Sequence, residues 1–256
     1  MSLQYNNTSS PYNGIIQQIE KEIGANRGDI SGNTEQLALW TSEVNLVLDE
    51  FTAMAIQCSG RWQWDDSNQT GYPIIKGNIV SGQQDYPFTE DGSGNLILDV
   101  YKVAILPSST ATVYQEIFPT DPQSEYETDL LREVGVTGTP RYYDKTANGL
   151  FLDPEPNYSV NNGIKIYINR EPSYFTTSHT DRKAGIPGIF HEYLAIKPAL
   201  KYAGRKSLSN YNDLLRRVTA YEGDETRGIS GKIQDYFNRR EKDEVSVVRG
   251  EPIIYE

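Results

Sequence analysis

The sequence predicts an α+β fold, a helical bundle built from N- and C-terminal helices with an inserted antiparallel β subdomain. Two changes in hydrophobic spacing predict it. Apolar residues recur at helical spacing before residue 60 and after residue 187, and short strand-like runs separated by turn residues lie between these limits. Because amphipathic helices must bury their apolar faces, we expect the terminal helices to pack together.

These patterns divide the 256-residue chain into segments with different expected roles. Residues 1–13 are predicted to be a flexible N-terminal arm, 14–60 and 182–243 the helical core, 61–181 the inserted β subdomain, and 244–256 an extended C-terminal tail. The arm is polar and rich in Asn and Ser. The tail is β-prone but has no neighbouring strand in sequence to pair with.

Two helices are predicted in the first part of the helical core. The first carries isoleucines on one face between residues 15 and 23, and Gly24 supplies its stop. The second can be capped by Asn33 or Thr34. Apolar residues then follow at helical spacing to about Gln57.

The second part of the helical core begins near Pro187, a favourable first-turn residue. Ile189 and Phe190 begin an apolar helical face there, and Pro198 is expected to kink or divide that helix. A long periodic run follows over residues 208–241. It is either one helix or two helices that meet near Gly223–Gly228.

Seven strands are predicted in the inserted subdomain: Ile74–Val80, Asp85–Phe88, Leu96–Leu106, Val113–Phe118, Arg141–Asp144, Leu150–Leu152 and Ile164–Asn169. Asn148-Gly149 predicts a tight hairpin, because both central residues of such a turn need positive φ. Asn162-Gly163 predicts a second turn. Residues 140–170 would therefore form a three-stranded antiparallel meander.

The charge of the chain disfavours tight binding to nucleic acid. The formal net charge is −11, whereas proteins that grip DNA concentrate Lys and Arg against the phosphates. An acidic surface suits instead a wall past which DNA slides without sticking. The chain also has eighteen tyrosines, which fit either protein–protein interfaces or a tyrosine-rich core.

Cysteine content and hydropathy predict folding in a cytoplasm. Cys58 is the single cysteine, so no intrachain disulfide can form. Residues 1–13 have neither a basic start nor an apolar run, so no signal peptide is expected. The sequence also lacks the long apolar stretch that a membrane span needs.

No motif in the sequence predicts catalysis, a cofactor or a metal site. His191-Glu192 resembles the start of a zinc-protease helix, but Ala195 stands where the second histidine is needed, so His191 is interpreted as a helix-surface or interface residue. His179 lies in a polar loop, and Cys58 has no evident base partner. The run Gly228–Gly231 has the wrong spacing for a nucleophile elbow.

The cluster Trp62-Gln63-Trp64-Asp65-Asp66 is the feature that most favours a different function. Alternate tryptophans could stack on sugars, and paired carboxylates could serve glycoside chemistry. Two tryptophans at this spacing more often anchor a crossing from helix to sheet.

Four stretches occur in an order that resembles the head–tail connector (adaptor) proteins of tailed bacteriophages. They are residues 59–88 (SGRWQWDDSNQTGYPIIKGNIVSGQQDYPF), 138–181 (GTPRYYDKTANGLFLDPEPNYSVNNGIKIYINREPSYFTTSHTD), 186–203 (IPGIFHEYLAIKPALKYA) and 236–244 (YFNRREKDE). The second stretch contains G-x-P-x-x-Y, a short N-G hairpin, an L-x-P-x-P step and a strand that ends in R-x-P-S-x-F. The resemblance covers most of residues 35–244.

This resemblance implies a non-enzymatic virion protein of the phage neck, assembled in the host bacterial cytoplasm. Its partners would be the portal protein, neighbouring copies of itself in a ring with the portal's twelvefold symmetry, and tail or nozzle proteins. Genomic DNA would pass through the lumen of the ring without specific binding. The ring would extend the DNA channel and provide the docking platform for the tail.

The C-terminal tail is the candidate docking element for a partner. Its apolar residues are Val245, Val247, Val248, Ile253, Ile254 and Tyr255. Such a segment could add a strand to a partner's sheet. A disordered terminus is the alternative.

Other functions stay open at this point. The chain could be another tail-side structural protein (a nozzle, stopper or tail-completion protein), which would share the α+β layout but contact different partners. It could also be a carbohydrate-binding or cell-wall-degrading module centred on Trp62 and Trp64. A DNA-binding regulator is disfavoured by the acidic charge.

Overall fold

The computed structural model has the α+β architecture that the sequence predicts. It describes residues 3–9, 11–59, 74–88, 90, 94, 96–120, 136–145 and 149–242. The chain divides into two compact units. The β unit contains residues 1–5 and 61–191, and the helical unit contains residues 6–60 and 192–256. Among the described residues, no helix is both long enough and apolar enough to cross a membrane.

The helical unit is built from five helices: α1 (Ile15–Glu22), α2 (Thr34–Ser59), α3 (Tyr193–Lys206), α4 (Tyr211–Glu222) and α5 (Lys232–Lys242). Helices from both parts of the sequence pack together, with α1 on α3 and α2 against both α3 and α5. The boundaries follow from local chemistry. Asn33 Oδ1 accepts hydrogen bonds from the amides of Glu35 and Gln36 at 3.0 and 3.2 Å, which confirms the predicted cap of α2.

Pro198 does not divide the third helix. It lies inside α3, which continues to Lys206, so the division, one of the two expected effects of this proline, is wrong, while the kink stays a prediction. Pro198 is buried, and we infer that packing around it compensates for the hydrogen bond that proline cannot donate. The stretch before α3 also differs from the prediction, because it forms a 3-10 turn (Gly188–Phe190) in which Ile189 is exposed.

The last periodic run forms two helices, the second of the two predicted alternatives. A small hairpin, β10 (Gly223–Asp224) and β11 (Ile229–Ser230), separates α4 from α5. Gly231 packs so closely that a Cβ there would lie 2.2 Å from the Tyr221 carbonyl oxygen. Since no larger residue fits at this position, the glycine permits the sharp reversal that breaks the helical run.

An aromatic cluster joins the four longer helices at the centre of the bundle. Phe51 of α2 lies 6.3 Å from the ring of Tyr193 of α3 and 6.0 Å from that of Phe237 of α5. Tyr193 in turn lies 5.8 Å from Tyr221 of α4. All four rings are buried. Contacts therefore run from α2 through α3 to α4, and from α2 directly to α5.

The β unit contains a seven-stranded mixed sheet shaped as a half-barrel, in the order β1-β9-β3-β4-β6-β7-β2. The strands are β1 (Ile74–Ile79), β2 (Asp85–Pro87), β3 (Ile97–Ile105), β4 (Gln115–Pro119), β6 (Tyr142–Lys145), β7 (Gly149–Asp153) and β9 (Val160–Arg170), while β5 (Thr137–Gly138) and β8 (Glu155–Pro156) form a separate pair. Within this sheet the pairings are antiparallel except for β4 with β6. The core between the strands is mainly aliphatic.

The predicted meander over residues 140–170 is wrong in its third strand. β6 and β7 form the expected antiparallel hairpin, with Lys145 opposite Leu150. β9, however, pairs with β1 and β3 rather than with β7. Asn162 and Gly163 lie inside β9, where Asn162 has φ +53° and the register against β1 shifts between Gly77 and Ile79. The positive φ therefore belongs to an irregularity within strand β9, of the kind that a β-bulge produces, and not to a turn between strands.

The N-terminal segment is tied down at Tyr5. This tyrosine is fully buried, its ring stacks on Phe175 with centroids 4.3 Å apart, and its amide donates to the Arg182 carbonyl at 2.7 Å. Gln4 also forms a β-bridge with Lys183. Residues 3–5 thus belong to the packed β unit.

Candidate functional site

His191 lies buried in the β unit, so its interpretation as a helix-surface or interface residue is wrong. Its Nδ1 accepts a hydrogen bond from the Leu3 amide at 2.9 Å, and its Nε2 lies 3.0 Å from the Ile186 carbonyl oxygen. A neutral imidazole protonated on Nε2 satisfies both contacts. Burial lowers the pKa of His191, since it disfavours the charged ring. This histidine therefore fixes the N-terminal segment.

We predict that His191→Gln removes a pH dependence from stability. Because the pKa of His191 is lowered by folding, its contribution is complete above about pH 6.5, the value for an unfolded histidine, and is lost as the pH falls through the folded value. Urea unfolding of the wild-type chain should show a free energy that falls between about pH 7.5 and about pH 5.5, and the variant a flatter profile that starts about 1 kcal/mol lower.

The matched control is His179→Gln, because these are the two histidines of the chain. The His179 side chain is partly exposed; it accepts a hydrogen bond from the Thr176 amide at 2.9 Å within a local turn, and its ring lies edge-on to Phe175. This variant should keep the wild-type decline. If both variants follow the same pH profile, His191 does not carry the dependence.

The other residues named from the sequence form no reactive constellation in the described part of the chain. Cys58 is a partly buried thiol near the end of α2 and forms no disulfide. Trp62, Trp64 and the carboxylates beside them lie outside the described residues. The candidate docking residues of the tail lie outside them as well: Val245, Val247, Val248, Ile253, Ile254 and Tyr255. The described residues contain no cluster of three or more His, Cys, Asp or Glu side chains placed to hold a metal ion.

A group of titratable side chains surrounds Arg217 of α4 in the helical unit. Its guanidinium donates to both carboxylate oxygens of Glu22 at 2.7 and 3.0 Å and to Glu192 at 2.6 Å. The Tyr221 hydroxyl donates to the second oxygen of Glu192 at 2.9 Å. One arginine thus links α1, the residue before α3, and α4.

A second charged group links α3 with α2 and α4. The Tyr193 hydroxyl donates to Glu222 at 2.6 Å, and Lys197 pairs with the same carboxylate. Lys201 pairs with Glu50 of α2 at 2.9 Å. These contacts join residues far apart in sequence, so periodicity alone gave no sign of them.

In both groups the pKa values are shifted away from neutral pH. The hydrogen bond that Arg217 donates to Glu192 lowers the pKa of Glu192, and the hydrogen bonds that Arg217 donates to Glu22 raise the pKa of Arg217. Burial, followed by the hydrogen bond to Glu192, raises the pKa of Tyr221 to about 12, and burial also raises the pKa of Tyr193. A general acid or base works best with a pKa near the working pH. We therefore interpret both groups as braces that hold the helices together.

The exposed side of α2 is the stronger candidate for function. Leu39 and Leu46 are 63% and 51% exposed, and Ala53 follows at the same spacing of seven residues. Ser42 lies between the two leucines, and Glu43 and Glu50 flank the stripe, where they pair with Arg205 and Lys201 of α3. We call Leu39, Ser42, Leu46 and Ala53 the α2 outer face. Since the opposite side of α2 packs into the bundle, these leucines are exposed on the outward side of the helix.

A groove lies along the α2 outer face, between α2 and α3. Its volume is about 270 Å³, and it is lined by Gln36, Leu39, Trp40, Ser42, Glu43, Pro198, Tyr202 and Arg205. Trp40 and Tyr202 contact each other within it with ring centroids 5.4 Å apart. Arg205 pairs with Glu43 at 2.7 Å. The surface thus combines an apolar ridge and a groove, which suits packing against a protein rather than chemistry.

Sequence reasoning missed this surface. The inward residues of α2, such as Trp40, Val44 and Phe51, gave a clear helical face, and the second apolar stripe was not separated from them. The signal was present as Leu39, Leu46 and Ala53 at heptad spacing.

Comparison with known proteins gave no family assignment. No family model matches the chain, and no curated protein matches it.

Proposed function

We propose that this chain is a structural virion protein, a tailed-bacteriophage head–tail connector (adaptor). Copies would assemble side by side into a ring beneath the portal, extend the DNA channel and provide the docking platform for the tail. The expected copy number is twelve, to match the portal. The proposal has no catalytic step, cofactor or specific DNA contact.

The observation that carries this proposal is the α2 outer face. A helix packed into a bundle on one side and lined with exposed leucines on the other leaves apolar surface that water disfavours. A neighbouring subunit that covers Leu39 and Leu46 would remove that cost. The two charged groups around Arg217 and Glu222 brace the bundle behind this face, as a lateral contact in a ring requires.

The β unit offers a second surface for a different partner. Phe118 of β4 and Tyr142 of β6 lie opposite each other in adjacent strands, and they are 60% and 42% exposed. Exposed aromatic pairs are common at protein–protein interfaces. A connector needs such a second surface, because it must contact the portal or the tail as well as its own copies.

The acidic charge also supports the proposal. Because its net charge is −11, the protein as a whole repels the negatively charged DNA phosphates. A channel wall with this property would let the genome pass during ejection without holding it.

Imaging of the chain together with its portal protein tests the proposal. The purified chain is mixed with the portal encoded in the same phage genome, and the particles are examined by negative-stain electron microscopy and mass measurement. The expected result is a ring of extra density on one end of the portal, with a fixed number of copies. Unchanged portal particles would overturn the connector function. Binding to isolated tail proteins instead of the portal would favour a nozzle, stopper or tail-completion protein.

A further inference from the structure

Residues 3–5 are attached to the β unit by a short set of contacts, and we call them the anchored segment. The Tyr5 amide donates to the Arg182 carbonyl oxygen at 2.7 Å, and the buried Tyr5 ring stacks on Phe175. Backbone groups and a phenol do not change their protonation state between pH 5 and 8. These contacts are therefore the same in neutral and mildly acidic solution.

One contact of the anchored segment does depend on protonation. Nδ1 of His191 accepts a hydrogen bond from the Leu3 amide at 2.9 Å, and Nε2 lies 3.0 Å from the Ile186 carbonyl oxygen. A ring that takes up a proton on Nδ1 is a donor at both nitrogens, so the Leu3 amide loses its acceptor. The Leu3 carbonyl oxygen lies 3.1 Å from Nδ1 and can accept from the charged ring, but the amide beside it then faces an N–H group. Protonation thus makes this contact repulsive at the amide.

The surroundings of His191 disfavour a positive charge on its buried ring. Burial lowers the pKa of His191 and outweighs the hydrogen bonds to backbone groups, which act in the opposite direction. The charged side chains on the neighbouring stretch are the cations Arg182 and Lys183, and the charge of the amino terminus also lowers the pKa of His191. The anchored segment and the 3-10 turn before His191 have no charged side chain. Glu192 follows in sequence, but its carboxylate accepts hydrogen bonds from two side chains of α4.

The contacts that follow the anchored segment contain no titratable group. In the helical unit, the side chain of Gln17 donates to Asn6 Oδ1 at 2.6 Å and accepts from the Asn7 amide at 2.9 Å. Amide groups keep their protonation state over the whole range in which a histidine titrates. A fall in pH therefore acts on the anchored segment and leaves the attachment of the next two residues unchanged.

We propose that His191 is a proton-operated latch, whose protonation releases residues 3–5 from the β unit while the sheet and the helical bundle stay folded. Few contacts hold the anchored segment, so its release needs less free energy than unfolding of the unit. The latch is closed above about pH 6.5, where an ordinary histidine is neutral, and it opens increasingly as the pH falls, because the released ring binds a proton more readily. Release uncovers Phe175 and frees a short extended segment. The latch goes beyond the connector function and does not depend on it.

Hydrogen–deuterium exchange of the full chain, read residue by residue by NMR and corrected for the intrinsic exchange rate at each pH, tests the latch. The protection of the Tyr5 amide should fall about tenfold between about pH 7.5 and about pH 5.5, because the released ring titrates at about pH 6.5. Two amides serve as internal references. The Asn7 amide, held by Gln17, and the Leu106 amide, which donates to the Gly163 carbonyl oxygen in the β unit, should keep their protection.

His191→Gln tests whether the latch residue is the histidine. Glutamine keeps one donor and one acceptor but does not titrate, so the protection of the Tyr5 amide should be equal at the two pH values. His179→Gln should keep the tenfold fall. The latch is overturned if the Tyr5 amide of the wild-type chain keeps its protection in acid, or if it loses protection equally in His191→Gln. Loss of protection at Asn7 and Leu106 together with Tyr5 would also overturn it, since that pattern is unfolding and not release.

A second measurement keeps the latch testable even if His191→Gln does not fold. Because release and protonation are linked, loosening the anchored segment must raise the pKa of His191 towards its ordinary value. Tyr5→Ala removes the ring that stacks on Phe175, so NMR titration of the His191 ring should give a pKa closer to about 6.5 than in the wild-type chain. Phe118→Ala, which removes an exposed ring of the β unit, should leave the wild-type pKa unchanged. An equal pKa of His191 in Tyr5→Ala and in the wild-type chain would overturn the latch.

Discussion

Phe51→Ala is expected to lower the free energy of unfolding of the helical unit by about 4 kcal/mol. Phe51 is fully buried, and its ring contacts Tyr193 and Phe237 from two other helices. Removing the ring leaves a cavity at the point where these helices meet, and neighbours braced by ion pairs can collapse into it only in part. Urea unfolding followed by circular dichroism at the helical band measures the loss.

The control for this substitution is Phe118→Ala in the β unit. Its side chain is of the same type but 60% exposed, so its removal should change the free energy of unfolding by about 0.5 kcal/mol or less. Equal effects of the two substitutions would show that burial in the bundle does not set the cost. A loss below about 1 kcal/mol for Phe51→Ala would contradict the packing of the cluster.

The elements of the fold were predictable from sequence because most of their signals are local. Asn33 caps α2 through its own neighbours, and Gly24 follows α1 with φ +71°. The positions of the strands followed from the alternation of apolar and polar residues and from the turn residues between these runs. Such signals depend on residues within a few positions of each other, so a single sequence contains them.

The pairing of the strands was less predictable, because pairing joins distant segments. β9 has β1 and β3 as neighbours, although β7 lies much closer in sequence. The sequence Asn162-Gly163 correctly indicated a position with a positive backbone φ angle, since Asn162 has φ +53°. A β-bulge and a turn make the same local demand, and only the partner strand distinguishes them.

The candidate site shows a related limit. Apolar periodicity identifies the side of a helix that packs in the bundle, but α2 also has leucines on its outward side, and the stronger signal of the buried side concealed Leu39 and Leu46. His191 illustrates the opposite case. Its polar character suggested the surface, whereas hydrogen bonds to Leu3 and Ile186 satisfy it in the interior. Burial of a polar residue depends on partners that the neighbouring sequence does not reveal.

Arg217→Met is expected to destabilise the helical unit by about 3 kcal/mol at neutral pH. The substitution keeps most of the apolar stem but removes the donors to Glu22 and Glu192. Glu22 is then left largely buried with its charge uncompensated, which costs more than the pair contributed. Urea unfolding of the variant and the wild-type chain at the same pH measures the difference.

The loss of stability caused by Arg217→Met should become smaller as the pH falls. The direction of this pH dependence follows from the pKa of Glu192. Arg217 lowers the pKa of this carboxyl, so the stabilisation is complete above about pH 4.3, the value for an unfolded glutamate, and is lost as the pH falls through the folded pKa. Arg216→Met is the matched control, because Arg216 is its sequence neighbour but 82% exposed, and we expect a change of about 0.5 kcal/mol or less. A penalty that is the same for both arginines, or that persists unchanged in acid, would show that Arg217 does not act as a brace. If the penalty is specific and disappears in acid, the ion pairs hold α1, α3 and α4 together in the bundle on which α2 packs.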